Sequence, residues 1–469
     1  MISTIQHFVG ALVTVLAFVL LGVYSGKKVK SVEDFSVSGR NAGGALVAGT
    51  VLGTMIGGAS TIGTAQMAFI KGVSAWWFTL GGGLACLIFC VVFAKPFRQN
   101  KQITITGIIL EAYGEKAAMA TTFFMSVAMI VNIIPQIVSA TALISSFFAF
   151  SLTAAAVMAV ILMIIYVFFG GVWGTGLLGI LKTVLTAGGL LVGGGMALWL
   201  FGGVEGMLAS FPRYPWFSFW GEKISSDISS LTSLLIGVLS GQTYLQAIIA
   251  AKSLRSARAG TLISAVLGPL IGLGGVLIGL FMRAKHPEII AVQALPLFVT
   301  WYLPDWLAGV VLATLLFAVI GTAAGIAIGA CTILCKDVYQ KLSPQTSDKN
   351  ILFMFRTSII ILFAFALSIV LFSGGETVIL NWSYLSHGFR GVSAFLPMIT
   401  ALFLRGKIEQ KAAVWASVLA PLAVALWVFF QPLPIEPLFP GLFLSFCLFL
   451  WGYLKGRKQV NTTVSSGGR

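Results

Sequence analysis

The sequence predicts an all-α polytopic membrane protein, and three observations carry that expectation. Of 469 residues, 58% are hydrophobic and 9% charged, with a mean hydropathy of +1.00, a balance that belongs to chains living in lipid. Apolar runs near the twenty residues needed to cross a hydrocarbon core recur about thirteen times. The basic residues fall in alternate connections between those runs, the pattern left when positive charge is kept on one side of a membrane. The formal net charge of +15 therefore reports topology, and nucleic acid is not an expected partner. The lipid bilayer is.

In chain order the expected spans are 5–26, 45–71, 75–94, 117–147, 153–171, 175–202, 229–251, 259–282, 305–335, 353–373, 377–404, 412–430 and 437–454, numbered 1 to 13 below. No cationic leader precedes span 1, whereas Lys27, Lys28 and Lys30 follow it. Span 1 thus reads as a true first helix with the N-terminus outside, not a cleaved signal. The connections that should then lie inside carry Arg40, Lys95, Arg98, Lys101, Lys252, Arg255, Arg258, Lys336, Lys341, Lys349, Arg405, Lys407, Lys411, Lys455, Arg457 and Lys458. The connections 203–228 and 283–304 carry few positive charges and read as outer loops. The expected location is the cytoplasmic (inner) membrane, multi-pass, with the C-terminus inside. The five cysteines (Cys86, Cys90, Cys331, Cys335, Cys447) sit in apolar runs with no His or carboxylate beside them, as small buried hydrophobes rather than metal ligands or a disulfide framework. The tail Asn461–Arg469 is polar and rich in small residues, which predicts disorder.

Span 2 is the stretch around which the chain is organised. Its centre reads Gly53-Thr-Met-Ile-Gly57-Gly58-Ala-Ser60-Thr61-Ile-Gly63, glycine and hydroxyl residues at the depth where a plain anchor carries Leu and Val. Such a stretch lets helices pack closely; it also suits a helix interrupted at mid-membrane, whose freed backbone groups line a cavity. Similar clusters lie in span 7 (Gly237-Val-Leu-Ser240-Gly241-Gln242-Thr243) and span 9 (Gly321-Thr322-Ala-Ala-Gly325). Spans 2 and 7 each open a run of five helices, the plan of an inverted-repeat secondary transporter. Residues 1–469 are expected to form a single membrane transport unit: a first peripheral helix and loop (1–44), two repeats (45–203 and 204–405), and peripheral helices with a polar tail (406–469).

The chain resembles the sodium:solute symporter family over nearly its whole length. Ser31-Val-Glu-Asp34-Phe-Ser-Val-Ser-Gly39-Arg40 is similar to the family's loop after its first helix. Span 2 with Gly72-Val-Ser-Ala-Trp-Trp77, Gly170-Gly171, Gln242 with Ala250-Ala-Lys252-Ser253, and Lys336-Asp337-Val-Tyr339 follow in order at family spacing. The resemblance implies a LeuT-type fold, a five-plus-five inverted repeat with broken helices built from spans 2–6 and 7–11. It also implies a sodium site made by the carbonyls of Gly53, Ile56 and Ala318 and by hydroxyls at positions 321 and 322. Hard oxygen ligands at a broken helix suit such an ion. Thr322 supplies one hydroxyl; Gly321 stands where the family usually carries Ser or Thr. A second sodium site in some members uses an Asp whose position here is Gly179, so a second sodium is not expected.

One helical turn beyond Gly179 lies Lys182. A lysine inside a span, with no acidic residue deep in any span to pair with it, is expensive by about 2.5–3.5 kcal/mol on insertion scales and marks a site, unless it snorkels to the interface. The resemblance extends to proton-coupled relatives of this fold, in which a lysine of the equivalent helix lies beside the same site. Lys182 can therefore stand in for the ion and carry a proton. Sodium is the favoured coupling ion, proton linkage through Lys182 the alternative.

By position in the family, the solute would lie between the broken centres of spans 2 and 7, near Met55, Gly57, Ser60, Thr61, Gln136, Gln242 and Gln246. Gln136 shares a helix face with Asn132, flanking a kink at Pro135; amides of this kind also bond neighbouring helices. Span 11 carries His387 and Arg390 well inside the membrane. Arg is shaped to bind a carboxylate bidentately, or else bonds carbonyls freed near Gly388 and Gly391. The expected function is import of a small anionic or carboxylate-bearing organic solute by cation symport with alternating access. No cofactor beyond the ion and no obligate protein partner is implied. With three histidines and no motif of an intramembrane hydrolase or transferase, the chain does not read as an enzyme. A passive channel or a sensor is the different-class alternative.

Overall fold

The computed structural model describes residues 4–26, 41–100, 102, 104–148, 150–170, 175–332, 348–373, 377–430 and 435–466. Lys27, Lys28, Lys30, the stretch from Ser31 to Arg40, Lys101, Gly171, Cys335, the stretch from Lys336 to Tyr339 and Lys341 lie outside the described residues. Among those described, the expected apolar runs fall on helices or broken helices, and the pairing of Ala42 with Ala251 is an isolated bridge rather than a strand. Among the described residues eight helices are long and apolar enough to cross a membrane, or nine when the bent pair in span 7 counts as one. Span 11 (Ile379–Phe403) spans 25 residues, but its interior includes Asn381, Ser383, His387 and Arg390.

Span 2 is broken. Gly44–Met55 ends where Ile56 turns to extended backbone (φ −82°, ψ 96°), and the chain restarts as the widened turn Ala59–Gly63 and the helix Thr64–Lys71. Two adjacent glycines, the weakest helix formers after proline, favour the interruption. Ser60 and Thr61 then finish the new start: Ser60 Oγ accepts the Gly57 N–H at 3.0 Å, reaching back as the far member of a capping box does, and Thr61 Oγ1 donates to the Gly57 carbonyl at 2.8 Å. Span 7 is broken too: Ile224–Leu239 and Gln242–Ala250 meet at 47° across Ser240 and Gly241. Span 4 is interrupted at Asn132, between Glu115–Val131 and Ile133–Phe148, because Pro135 has no N–H for the Val131 carbonyl.

Spans 2, 6 and 8 pack face to face, and glycines set the spacing. A Cβ on Gly53 would come within 2.9 Å of the Gly179 Cα, and one on Gly194 within 2.7 Å of the Gly274 Cα. At one end of the bundle Ala42 exchanges backbone hydrogen bonds with Ala250 and Lys252, and Arg98 donates to the Ala251 carbonyl. The basic connections after spans 3 and 7 and the entry to span 2 therefore meet at one end.

Three expectations are corrected. Residues 95–116 read as a loop, yet Ile105–Tyr113 is a helix started by Thr104, whose Oγ1 accepts the Gly107 N–H at 2.9 Å. The connections 203–228 and 283–304 likewise hold Gly203–Ala209, Arg213–Trp216 and Ala294–Tyr302; a search for twenty-residue runs passes over helices this short. Of the tail expected to be disordered, Asn461–Ser466 continues the last helix, Leu438–Ser466, since extending an existing helix gains one hydrogen bond per residue without a new nucleus.

Candidate cation and solute site

The break in span 2 leaves backbone groups to be satisfied inside the membrane, where an unpaired one is costly. The Ile56 N–H takes the Leu52 carbonyl at 2.7 Å, and the Gly57 N–H goes to Ser60. The Gly53 carbonyl, which would accept the Gly57 N–H in an unbroken helix, is thereby released. Lys182 takes it. Its Nζ donates to the Gly53 carbonyl at 2.8 Å and to Thr322 Oγ1 at 2.9 Å, and the Thr322 hydroxyl in turn donates to the Ala318 carbonyl at 2.8 Å. Lys182 is 7% exposed, so it does not snorkel. The glycine contact between Gly53 and Gly179 is what lets span 6 come close enough for this reach.

The other side of the break is held by span 4. Gln136, 2% exposed, accepts the Gly58 N–H on Oε1 at 3.0 Å. Gly57 sits between Gln136 and Thr322: a Cβ there would lie 3.2 Å from Gln136 Oε1 and from Thr322 Oγ1. Spans 2, 4, 6 and 9 thus converge on a few ångströms of broken backbone.

At the break in span 7 the Ser240 N–H takes the Ile236 carbonyl at 3.0 Å and the Gly241 N–H takes that of Val238 at 2.9 Å, skipping Gly237. Arg390 Nε donates to the Gly237 carbonyl at 2.9 Å. His387, one turn earlier on span 11, bonds the Ser383 carbonyl through Nδ1 at 2.7 Å and lies edge-on to Phe78 with ring centroids 6.2 Å apart. Among the described residues no carboxylate pairs with Lys182 or Arg390. The hydroxyl of Ser240, fully buried at the break, has no partner among them.

The family profile described as "Sodium:solute symporter family" matches residues 35–420. The chain belongs to the sodium:solute symporter family. It is 22% identical over 439 residues to the uncharacterized symporter YwcA of Bacillus subtilis, covering 89% of this chain and 85% of that one. It is 23% identical over 436 residues to the human high affinity choline transporter 1, covering 86% and 73%. Its fold is similar to that of a Na+-coupled sialic acid symporter in a substrate-bound outward-open state, with a TM-score of 0.75 at 17% identity over 97% of this chain and 98% of that one. Mhp1 in an inward-facing conformation gives 0.52 at 14% identity over 90% and 91%. The fold is of the LeuT type, and the chain is a multi-pass membrane transporter of a sodium:solute symporter family.

Within the symporter, the residues singled out from sequence do not all gather at one point. Gly53, Thr322 and Ala318 lie together with Lys182, and Ile56 is the first residue of the break. Gly321 is beside them, but the space a side chain would take faces the Tyr166 hydroxyl, 3.8 Å from a built Cβ. Tyr166, from span 5, is a neighbour that sequence reasoning missed; a lone phenol in an otherwise apolar span was its signal. The hydroxyls of Ser60 and Thr61 turn onto the Gly57 backbone. Met55 is wedged between Gly82 and Gly268, with Sδ 3.6 Å from Cys86 Sγ. Gln242 accepts the Ile105 N–H at 2.9 Å, tying span 7 to the helix 105–113, and Gln246 lies one turn further along the same half-helix. Gly237 was noticed only as part of a glycine cluster; its role rests on a backbone carbonyl that no side-chain pattern records.

Proposed function

We propose that the chain is a secondary active transporter of a small, carboxylate-bearing organic solute in which the Lys182 ammonium holds the cation position, linking uptake to protons. The observation that carries this reading is the pair of bonds from Lys182 Nζ to the Gly53 carbonyl and Thr322 Oγ1. These are two of the oxygens that the family resemblance assigns to sodium. One ammonium supplies one positive charge and satisfies the same acceptors, so it and sodium exclude each other. A lysine can lose its proton in the course of a cycle; its bonds to the Gly53 carbonyl and Thr322 then lose their charge assistance, which favours a different packing of span 2 against spans 6 and 9.

The solute class is supported by Arg390. Its Nε is committed to Gly237, and among the described residues no carboxylate pairs with it, which leaves its terminal nitrogens as the fork that reads a carboxylate. In the same reading the N-terminus is outside and the C-terminus inside the cytoplasmic membrane.

Sodium symport is the second reading, favoured by the family match, with sodium entering when Lys182 is neutral. Uptake into proteoliposomes with sodium replaced by choline separates the two. Undiminished uptake that requires an inward proton gradient is the expected result; uptake that stops without sodium overturns proton linkage. A thermal-shift screen against small carboxylates and their neutral analogues tests the solute class, since a ligand stabilises the state it binds.

A further inference from the structure

The two broken helices are finished in the same way. Gly53 is third from the end of Gly44–Met55, and Gly237 is third from the end of Ile224–Leu239. In each, the break diverts the N–H that would have used the glycine carbonyl, and a cation from the fifth span of the same repeat takes that carbonyl: Lys182 from span 6, Arg390 from span 11. The residue three before each cation packs on the glycine itself. Gly179 lies against Gly53, and a Cβ on Gly237 would come within 2.5–2.7 Å of the Cβ, carbonyl oxygen and Cα of His387.

We propose that Arg390 is a positioning residue, the pseudo-symmetric counterpart of Lys182, which keeps spans 7 and 11 joined throughout the transport cycle while the joint of spans 2 and 6 opens. The chemistry distinguishes the two cations. Both sit at the carbonyl end of a half-helix, where the dipole favours positive charge, and both bonds are charge-assisted. An ammonium can give up its proton, and its bond to the carbonyl is then no longer charge-assisted and is weak enough to break; a guanidinium in a protein keeps its charge. The second joint is further fastened on either side of Arg390. A Cβ on Gly388 would lie 3.0 Å from Ser233 Oγ, Ser233 donates to the Tyr384 carbonyl, and Gly391 faces Ile236. The fold thus has one cation joint that can release and one that cannot. The contrast rests on the proposed role of Lys182; the permanence of the second joint does not.

A cross-link tests that permanence directly. A Cβ built on Gly388 lies 3.9 Å from Ser233 Cβ, inside the range a disulfide spans. In a full-length chain with Cys86, Cys90, Cys331, Cys335 and Cys447 replaced by Ala, the pair Ser233→Cys and Gly388→Cys is oxidised in proteoliposomes. The expected result is a disulfide that forms and leaves uptake at the rate of the reduced protein. A disulfide that does not form, or one that stops uptake until reduced, overturns the proposal. In the native cysteine background Arg390→Lys makes the second cation releasable. Its pH profile is expected to fall more steeply toward alkaline pH than that of the unmodified chain, and an unchanged profile overturns the proposal as well. Lys182→Arg separates the two readings: retained proton-driven uptake in that variant removes the proposed role of Lys182 and leaves the cross-link result standing.

Discussion

The breaks in spans 2 and 7 are built from similar residues and satisfied in different directions. The break in span 2 is knitted inward: Gln136 of span 4 holds the Gly58 N–H, Thr322 of span 9 and Lys182 of span 6 hold the Gly53 end, and Ser60 and Thr61 close the Gly57 peptide. The break in span 7 is shorter and is tied outward. Gln242 reaches the helix 105–113, Arg390 holds the Gly237 carbonyl, and the Ser240 hydroxyl stays without a partner among the described residues. A broken helix is therefore not by itself a site. What distinguishes the first break is that three neighbouring spans bring hydrogen-bonding groups to it, and one of those groups is charged and releasable.

The sharpest way to break this comparison is to remove that charge. Lys182→Met is expected to lower proteoliposome uptake by about tenfold or more, equivalent to about 1.4 kcal/mol of barrier, and wild-type uptake by this variant would make the lysine an incidental filler. Next in size, Lys182→Ala vacates the position on the Gly53 and Thr322 oxygens. Sodium is then expected to raise the melting temperature, with a stabilisation of about 2.7 kcal/mol at a hundredfold excess over its dissociation constant, whereas the unmodified protein shows no sodium-dependent shift. Gly58→Ala drives a methyl into Ser139 and is expected to cost about 1–3 kcal/mol of stability as overpacking; Ser139→Gly in the same chain should recover part of it in a detergent melt. The smallest effects compare the two amides. Gln136→Leu orphans the buried Gly58 N–H at about 1–3 kcal/mol and is expected to impair uptake. Gln242→Leu is expected to cost about 1 kcal/mol and to leave solute affinity unchanged in the thermal-shift assay.

Much of this was legible in the chain because membrane insertion writes large signals. Apolar runs of fixed length placed the spans within a few residues, and glycines at mid-depth marked spans 2 and 7 as interrupted. Lys182 and Arg390 stood out because a cation in hydrocarbon needs a reason. Their partners were not legible. Both bond backbone carbonyls, and a carbonyl is present at every residue, so nothing in the letters of Gly53 or Gly237 says which one is released. The repeat between the halves was hidden for the same reason: the correspondence lies in hydrogen-bond geometry, with Lys matched by Arg and Gly179 by His387. Gln242 pointed to the solute by its place at a break, yet its amide turns to Ile105, a segment too short and too mixed in polarity to announce itself as a helix.

The sequence by itself determined that the chain lives in a membrane, where it crosses, which helices are weak at their centres, and which charges require an explanation. Those properties follow from transfer free energies and local propensities, which add along the chain. Only the tertiary structure decided that Lys182 lies on the oxygens of Gly53 and Thr322 and that Arg390 repeats the arrangement at Gly237. That outcome depends on glycine contacts between helices distant in sequence, where the presence or absence of one methyl group sets whether a side chain reaches its acceptor.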